Sequence, residues 1–164
     1  MCSAQHGRYA HRRDPSLTLR LEQGPGQVMV SASAISDYSP GSLGERVFVV
    51  TTGDGREFRY AAASSLGYTL NYLFPLDGTQ ARIGRGVDLI QVSTFTTDME
   101  YVPGLPRMEY AAPAHIYAPN LFRHLYAQGG NPRIAVPIDF FDFVSCAEPE
   151  AEAPAPQEQA APAQ

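Results

Sequence analysis

The chain has 164 residues, 44% hydrophobic and 18% charged, the balance of an ordinary globular domain with apolar material enough for a genuine core. A net charge of −5, with Arg as the sole cation and no Lys, excludes the basic excess on which a nucleic-acid binder depends. No run is long and apolar enough to span a bilayer as a helix, and Met1–His6 lacks the apolar centre of a secretion signal.

Gln5–Pro15 is basic and reads as a solvated N-terminal arm, or, functionally, as an anion-binding edge built from Arg8, Arg12 and Arg13. Leu17, Leu19 and Leu21 alternate with Thr18 and Arg20, which fits a half-buried strand or a single helical turn. Gly24-Pro25-Gly26 interrupts it; Gln27–Ile35 leans towards strand, and Asp37–Gly44 is a Ser-, Pro- and Gly-rich loop. Arg46–Thr52 is the clearest strand, β-branched and aromatic throughout.

The next segment has two readings. Gly53-Asp54-Gly55 can turn a hairpin into Arg56–Ala62, pairing Val49 with Phe58 or Tyr60. Alternatively Asp54 caps a helix with Glu57 as the third residue on. Phe58, Ala61, Ala62, Ser65, Leu66, Thr69, Leu70 and Leu73 recur at steps of three and four, so the periodicity predicts one long helix. Pro75–Gly78 ends it. Arg82–Gly86 holds a Gly-x-Gly that lacks the rest of a dinucleotide fingerprint and reads as a turn. Val87–Phe95 is a further strand and Thr96–Pro106 a loop. Pro119–Gln128 is a short helix, with Leu121/Leu125 and Phe122/Tyr126 four apart and Gly129 as stop. Arg133–Phe143 is the last strand, with Asp139 and Asp142 at outward positions. From Ala147 to Gln164 the composition is Ala, Pro, Glu and Gln, an expected disordered acidic tail carrying Glu148, Glu150, Glu152 and Glu158. Residues 1–146 are thus one α+β domain. Cys2 and Cys146 either bridge the two ends of that body or stay as free thiols, and no spacing suggests a metal site.

Four pieces, in this order, resemble the mono-ADP-ribosyltransferase toxins of the pertussis and cholera type. Arg8-Tyr9-Ala10-His11-Arg12 is similar to their N-terminal Arg-Tyr-x-x-Arg, and Phe48-Val49-Val50-Thr51-Thr52 to their Phe-Val-Ser-Thr-Ser strand. Leu89-Ile90-Gln91-Val92 stands for their Ile-Tyr-x-Val. Glu109-Tyr110-Ala111-Ala112, with Ile116 seven residues after the Glu, matches their Glu-Tyr-x-Ala run. The resemblance covers Arg8 to Tyr126 and implies a split β-sheet core with one long helix after the central strand and short helices elsewhere.

It also implies a chemistry. Breaking the nicotinamide–ribose bond of NAD, the cofactor used as substrate, builds positive charge on the ribose. Glu109 is the implied catalytic carboxylate, stabilising that charge. Arg8 is the implied pyrophosphate fork, and Thr51 and Thr52 the hydroxyls that hold ribose or the Glu-bearing strand. A protein would accept the ADP-ribose, and the chain would act as a secreted or delivered effector, or else remain in the cytoplasm. Two departures matter. Val50 replaces the family's first Ser, and Arg107, on the acceptor side, stands where the family places Glu or Gln. Arg107 repels an Arg acceptor, so NAD hydrolysis without transfer is the parallel expectation. The alternative is a non-catalytic α+β interaction module, possible as an inactive relative, that binds a partner through aromatic loops such as Tyr101–Tyr117. A hydrolase using His115 or His124 is a third reading.

Overall fold

The computed structural model describes residues 1–26, 28–30, 44–64, 70–81 and 89–147. A 3₁₀ turn at Ala4–His6 leads into β1 (Gly7–His11), β2 (Thr18–Gln23), β3 (Met29–Val30), β4 (Arg46–Thr51) and β5 (Glu57–Ser64). Then come β6 (Asn71–Asp77), β7 (Gln80–Ala81), β8 (Ile90–Phe95), β9 (Tyr101–Val102) and β10 (His115–Tyr117), followed by helix α1 (Pro119–Gln128) and β11 (Phe141–Cys146).

Eight strands close on themselves. β1 pairs with β2, β2 with β4, β4 with β5 and β5 with β6, and the ring continues through β8, β10 and β11 back to β1, every pair antiparallel. Over the described residues the fold is a closed antiparallel β-barrel with one α-helix. It overturns the expected α+β split-sheet core of the ADP-ribosyltransferase type. Closure leaves no free edge among these eight strands, the usual way an all-β chain avoids an aggregation-prone rim. The small strands lie outside the ring, β7 on β6 with β3 beside it, and β9 on β8.

The long helix expected over Asp54–Leu73 is replaced by β5 and β6, with residues 65–69 outside the described set. Asp54 caps nothing. Thr52 and Arg56 close a tight turn, Thr52 N–H donating to Arg56 O at 2.9 Å, and Gly55 takes a φ of +87° that L side chains rarely adopt. The hairpin alternative was the right one, one residue out of register: Val50 opposes Phe58 and Phe48 opposes Tyr60, while Val49 faces Arg59. The helical pattern misled because β5 is buried on both faces. Tyr60 and Ala62 point into the barrel, whereas Ala61 and Ala63 face out under Phe74, Ala81 and Leu76. A strand covered on both sides shows a continuous apolar run instead of alternation, and such a run is indistinguishable from a buried helix by period alone.

The N-terminal segment is no solvated arm. Tyr9 and His11 of β1 are 1% and 0% exposed, and Arg12 and Arg13 are held by Asp142 and Asp139 from the far end of the chain, at 2.8 and 2.7 Å. The barrel interior is filled by side chains: Tyr9, Leu19, Phe48, Tyr60, Ile116 and Phe141 are all almost completely buried within one cluster. It is a packed core, as small eight-stranded barrels permit.

The two ends of the barrel differ. At one, α1 lies across the opening, seating Leu121, Phe122 and Leu125 in the core. Phe122 stacks on Phe141 at 5.8 Å and meets the ring of His11 at 5.1 Å. At the other, Cys2 and Cys146 form a disulfide with a Cα–Cα distance of 5.7 Å, so of the two readings for these cysteines the bridged one holds. The expected strand over Arg133–Phe143 begins only at Phe141, because the preceding stretch crosses the helix end without pairing. The expected tail from Ala147 lies outside the described residues except for Ala147 itself, and so do the Arg82–Gly86 turn and most of the Asp37–Gly44 loop. Among the described residues no helix is long and apolar enough to cross a membrane.

Candidate functional site

A long departure from the barrel runs between β8 and β10, over residues 96–114, at the disulfide end. It begins as a hairpin. Thr96 N–H donates to Glu100 O at 2.9 Å, Met99 takes a φ of 63°, and β9 folds back on β8, Thr94 facing Val102 and Phe95 facing Tyr101. From there the chain carries Pro103, Pro106 and Pro113, which have no N–H to give a ladder, so the segment arches away from the sheet instead of joining it.

The arch is tied down by the N-terminus. Ala4 N–H donates to Tyr110 O at 2.8 Å, Gln5 N–H to Met108 O at 3.1 Å, and Ala112 N–H to Cys2 O at 2.9 Å. Met108, 7% exposed, anchors the turn in the core. The disulfide and the bond from Ala147 N–H to His6 O, at 2.7 Å, fasten that N-terminal segment to β11 in turn. Between arch and barrel wall lies a cleft of about 490 Å³. Phe95, Val102, Leu105 and the three prolines make it mainly apolar; the hydroxyls of Thr94, Thr96, Thr97 and Tyr110 and the guanidinium of Arg107 are its polar groups. A mostly apolar concavity of several hundred Å³ with a few placed polar groups is the usual form of a small-molecule site.

The residues expected to cleave NAD are dispersed. Glu109 sits in the exposed turn closed by Tyr110 N–H donating to Arg107 O at 3.0 Å, and it does not line the cleft. Arg8 lies on the outer side of β1, opposite Arg20 and Ser145, its Nη1 donating to Gly7 O at 3.4 Å. Thr51 and Thr52 are at the helix end, since Thr51 pairs with Thr18 and Thr18 with Ala10, whereas Glu109 belongs to the end at which β1 begins. Thr51 Oγ1 accepts from Arg20, and Thr52 Oγ1 accepts from Arg56 N–H at 3.1 Å and donates to Asp54. Both hydroxyls are occupied by turn and wall contacts. Val50, where the family has a hydroxyl, points into the core at 0% exposure. Of the expected site residues only Arg107 lines the cleft.

The other titratable clusters are ties between strands. Two ion pairs pass over β4 from its neighbours, Arg59 to Glu22 at 2.6 Å and Arg20 to Glu57 at 2.9 Å, and roof the outward Val47 and Val49, both 0% exposed. Burial works against the Glu22 carboxylate, yet the hydrogen bonds from Arg59 and Arg20 prevail and hold it below the ordinary range. On the opposite wall Arg12 grips Asp142 through two bonds of 2.8 Å, and His115 Nδ1 lies 2.7 Å from the same carboxylate. Arg12 lowers the Asp142 pKa most; burial opposes it and His115 adds to it. This joins the end of β1 to β10 and β11 on the barrel's outside, and none of the three side chains lines the cleft, though His115 is paired with Phe95, which does. His124 lies 3.0 Å from the Tyr60 hydroxyl, whose pKa is pushed up by burial. His11 is locked by two bonds, accepting from Asp14 N–H at Nδ1 and donating from Nε2 to Pro137 O. Among the described residues no group of three or more His, Cys, Asp or Glu side chains is placed to hold a metal.

Sequence reasoning missed Thr94, Phe95 and Thr96 as site residues. The signal available was weak: hydroxyls next to an aromatic at a strand end, followed by a proline-spaced apolar loop. No family model matches the chain, and neither curated proteins nor solved structures give a match to it.

Proposed function

We propose that this barrel is a non-catalytic binding module that holds a small apolar molecule in the cleft between the 96–114 arch and the wall formed by β8 and β9. The observation that carries the reading is the cleft itself: about 490 Å³, apolar, with polar groups suited to orienting a ligand. It deepens the interaction-module alternative, because the arch comprises most of the aromatic Tyr101–Tyr117 segment. The packed interior supports it too, since a barrel filled with Phe48, Tyr60 and Phe141 offers its ligand the mouth and not the lumen. The Cys2–Cys146 bridge supports residence in an oxidising compartment.

NAD cleavage draws no support from this geometry, as Glu109, Arg8 and the Thr51–Thr52 pair lie on separate parts of the barrel. The test is titration of the purified protein with N-phenyl-1-naphthylamine, an uncharged fluorescent probe, together with amide chemical-shift mapping. Saturable binding with shifts confined to residues 94–114 is expected. Absence of saturable binding, or shifts mapped elsewhere, removes the cleft reading. Nicotinamide release from NAD that vanishes in Glu109→Ala replaces it with the transferase one.

A further inference from the structure

Six arginines of the described barrel, Arg12, Arg13, Arg20, Arg46, Arg56 and Arg59, each pair with a carboxylate. Arg107 does not. Among the described residues it meets no Asp or Glu; its guanidinium lies over the Tyr110 ring at 5.3 Å, with Nη1 3.4 Å from the Tyr110 hydroxyl. The Tyr110 face steers the cation along the cleft's edge, and the phenol oxygen takes up one of five N–H donors. The rest of the fork stays available. Nothing else that lines the cleft carries a charge: the other groups are Thr hydroxyls, the Tyr110 phenol and hydrocarbon.

We propose that the ligand is an amphiphilic monoanion, an apolar body bearing one carboxylate or sulfonate, with the body among Phe95, Val102, Leu105 and Pro113 and the anion on Arg107. This rests on the cleft being the binding site. The chemistry is specific in three ways. A guanidinium presents two parallel N–H donors that match a carboxylate's two oxygens. Arg107 is exposed at the rim, so the apolar body can sit in the cleft while the charged head stays at its water-facing edge. A second anionic group would find no partner, because the remaining walls offer only hydroxyls and hydrocarbon, so one charge is accommodated and two are not.

Two probes of similar shape separate the ideas: 8-anilinonaphthalene-1-sulfonate, which carries one negative charge, and uncharged N-phenyl-1-naphthylamine. The wild-type protein should bind the sulfonate the more tightly. Arg107→Gln should weaken the sulfonate by about fivefold and leave the uncharged probe within twofold, and Arg107→Lys should restore part of the loss. Raising the salt concentration should weaken the sulfonate alone. Because the sulfonate also reports loosened cores, each variant's melting temperature is compared with wild type, and Ala112→Trp, which fills the cleft, should abolish both signals. Equal loss of the two probes in Arg107→Gln, or no loss in either, overturns the anion assignment while the cleft stands. Failure of both probes on the wild-type protein overturns the cleft itself.

Discussion

The two ends of the barrel solve the same problem in opposite ways. Each must cover the open mouth of a ring of strands. At the helix end, α1 drops Leu121, Phe122 and Leu125 straight into the core, and Arg56 reaches across to donate to the Gly129 carbonyl. At the disulfide end a proline-interrupted arch covers the mouth, held by backbone bonds to residues 2–5 and by one covalent staple. The first device buries side chains, and the space beside it, a shallow groove of about 490 Å³ along Phe122, Tyr126 and Ile134–Ile138, is more open to solvent. The second fixes backbone and leaves a cleft. Stability and recognition are therefore assigned to different ends of one molecule, as expected where a binding surface is carried by loops on a rigid scaffold.

That division can be broken, and the most damaging change belongs at the helix end. Phe141→Ala removes a fully buried ring stacked on Phe122 and should cost about 3–5 kcal/mol in urea unfolding, whereas Tyr110→Ala at the exposed rim should cost less than about 0.5 kcal/mol. Comparable losses from the two would mean that stability is not concentrated where the core is.

Next in size is the staple. Cys2→Ser with Cys146→Ser should lower stability by about 2–4 kcal/mol and, read by amide exchange, should loosen Ser3–Gln5 and Met108–Ala112 ahead of α1. Uniform loosening would show that the arch does not depend on its N-terminal ties.

The smallest expected effect is the response to acid. Arg56 and then Thr52 hold Asp54 down to about 2, and Arg12 leads in holding Asp142 below its usual value. Carboxylates with lowered folded pKa values stabilise above the unfolded pKa of roughly 4, and that contribution disappears as pH falls through the folded value. The melting temperature should therefore decline from about pH 4 towards pH 2, and Asp142→Asn should flatten part of the decline. A melting curve equally steep in Asp142→Asn would place the acid response elsewhere.

Much of this was legible wherever the determining interactions are local. Helix α1 spans Pro119–Gln128 as expected, since a proline at its start, pairs four apart and a following glycine are all short-range signals. Strands β4 and β8 were equally readable from their β-branched runs. The failures share a different cause. The run through Ala61, Ala62 and Ala63 was misread because burial on both faces erases strand alternation, and that double burial depends on Phe74 and Ala81 folding over it. The Arg12–Arg13 segment read as a solvated arm because its partners, Asp142 and Asp139, lie some 130 residues away in sequence. The same holds for the cleft. Residue types in the Tyr101–Tyr117 loop pointed to binding, but the opposing wall of Thr94 and Phe95 exists only once β8 has found β9 and β10. The four motif pieces that suggested a transferase follow one another along the chain, but the barrel carries them to different places.

The Cys2–Cys146 link also gives the chain an unusual tolerance of being cut. The two sulfurs are 144 residues apart in sequence and enclose every described strand and the helix, so the covalent skeleton between them is a closed loop. A loop severed once is still one piece. A protease that clips the exposed turn at Asp98–Met99 would yield two peptides that migrate together under non-reducing conditions and part when a thiol reductant is added, with the strands on both sides of the nick still joined at the opposite edge of the cleft mouth.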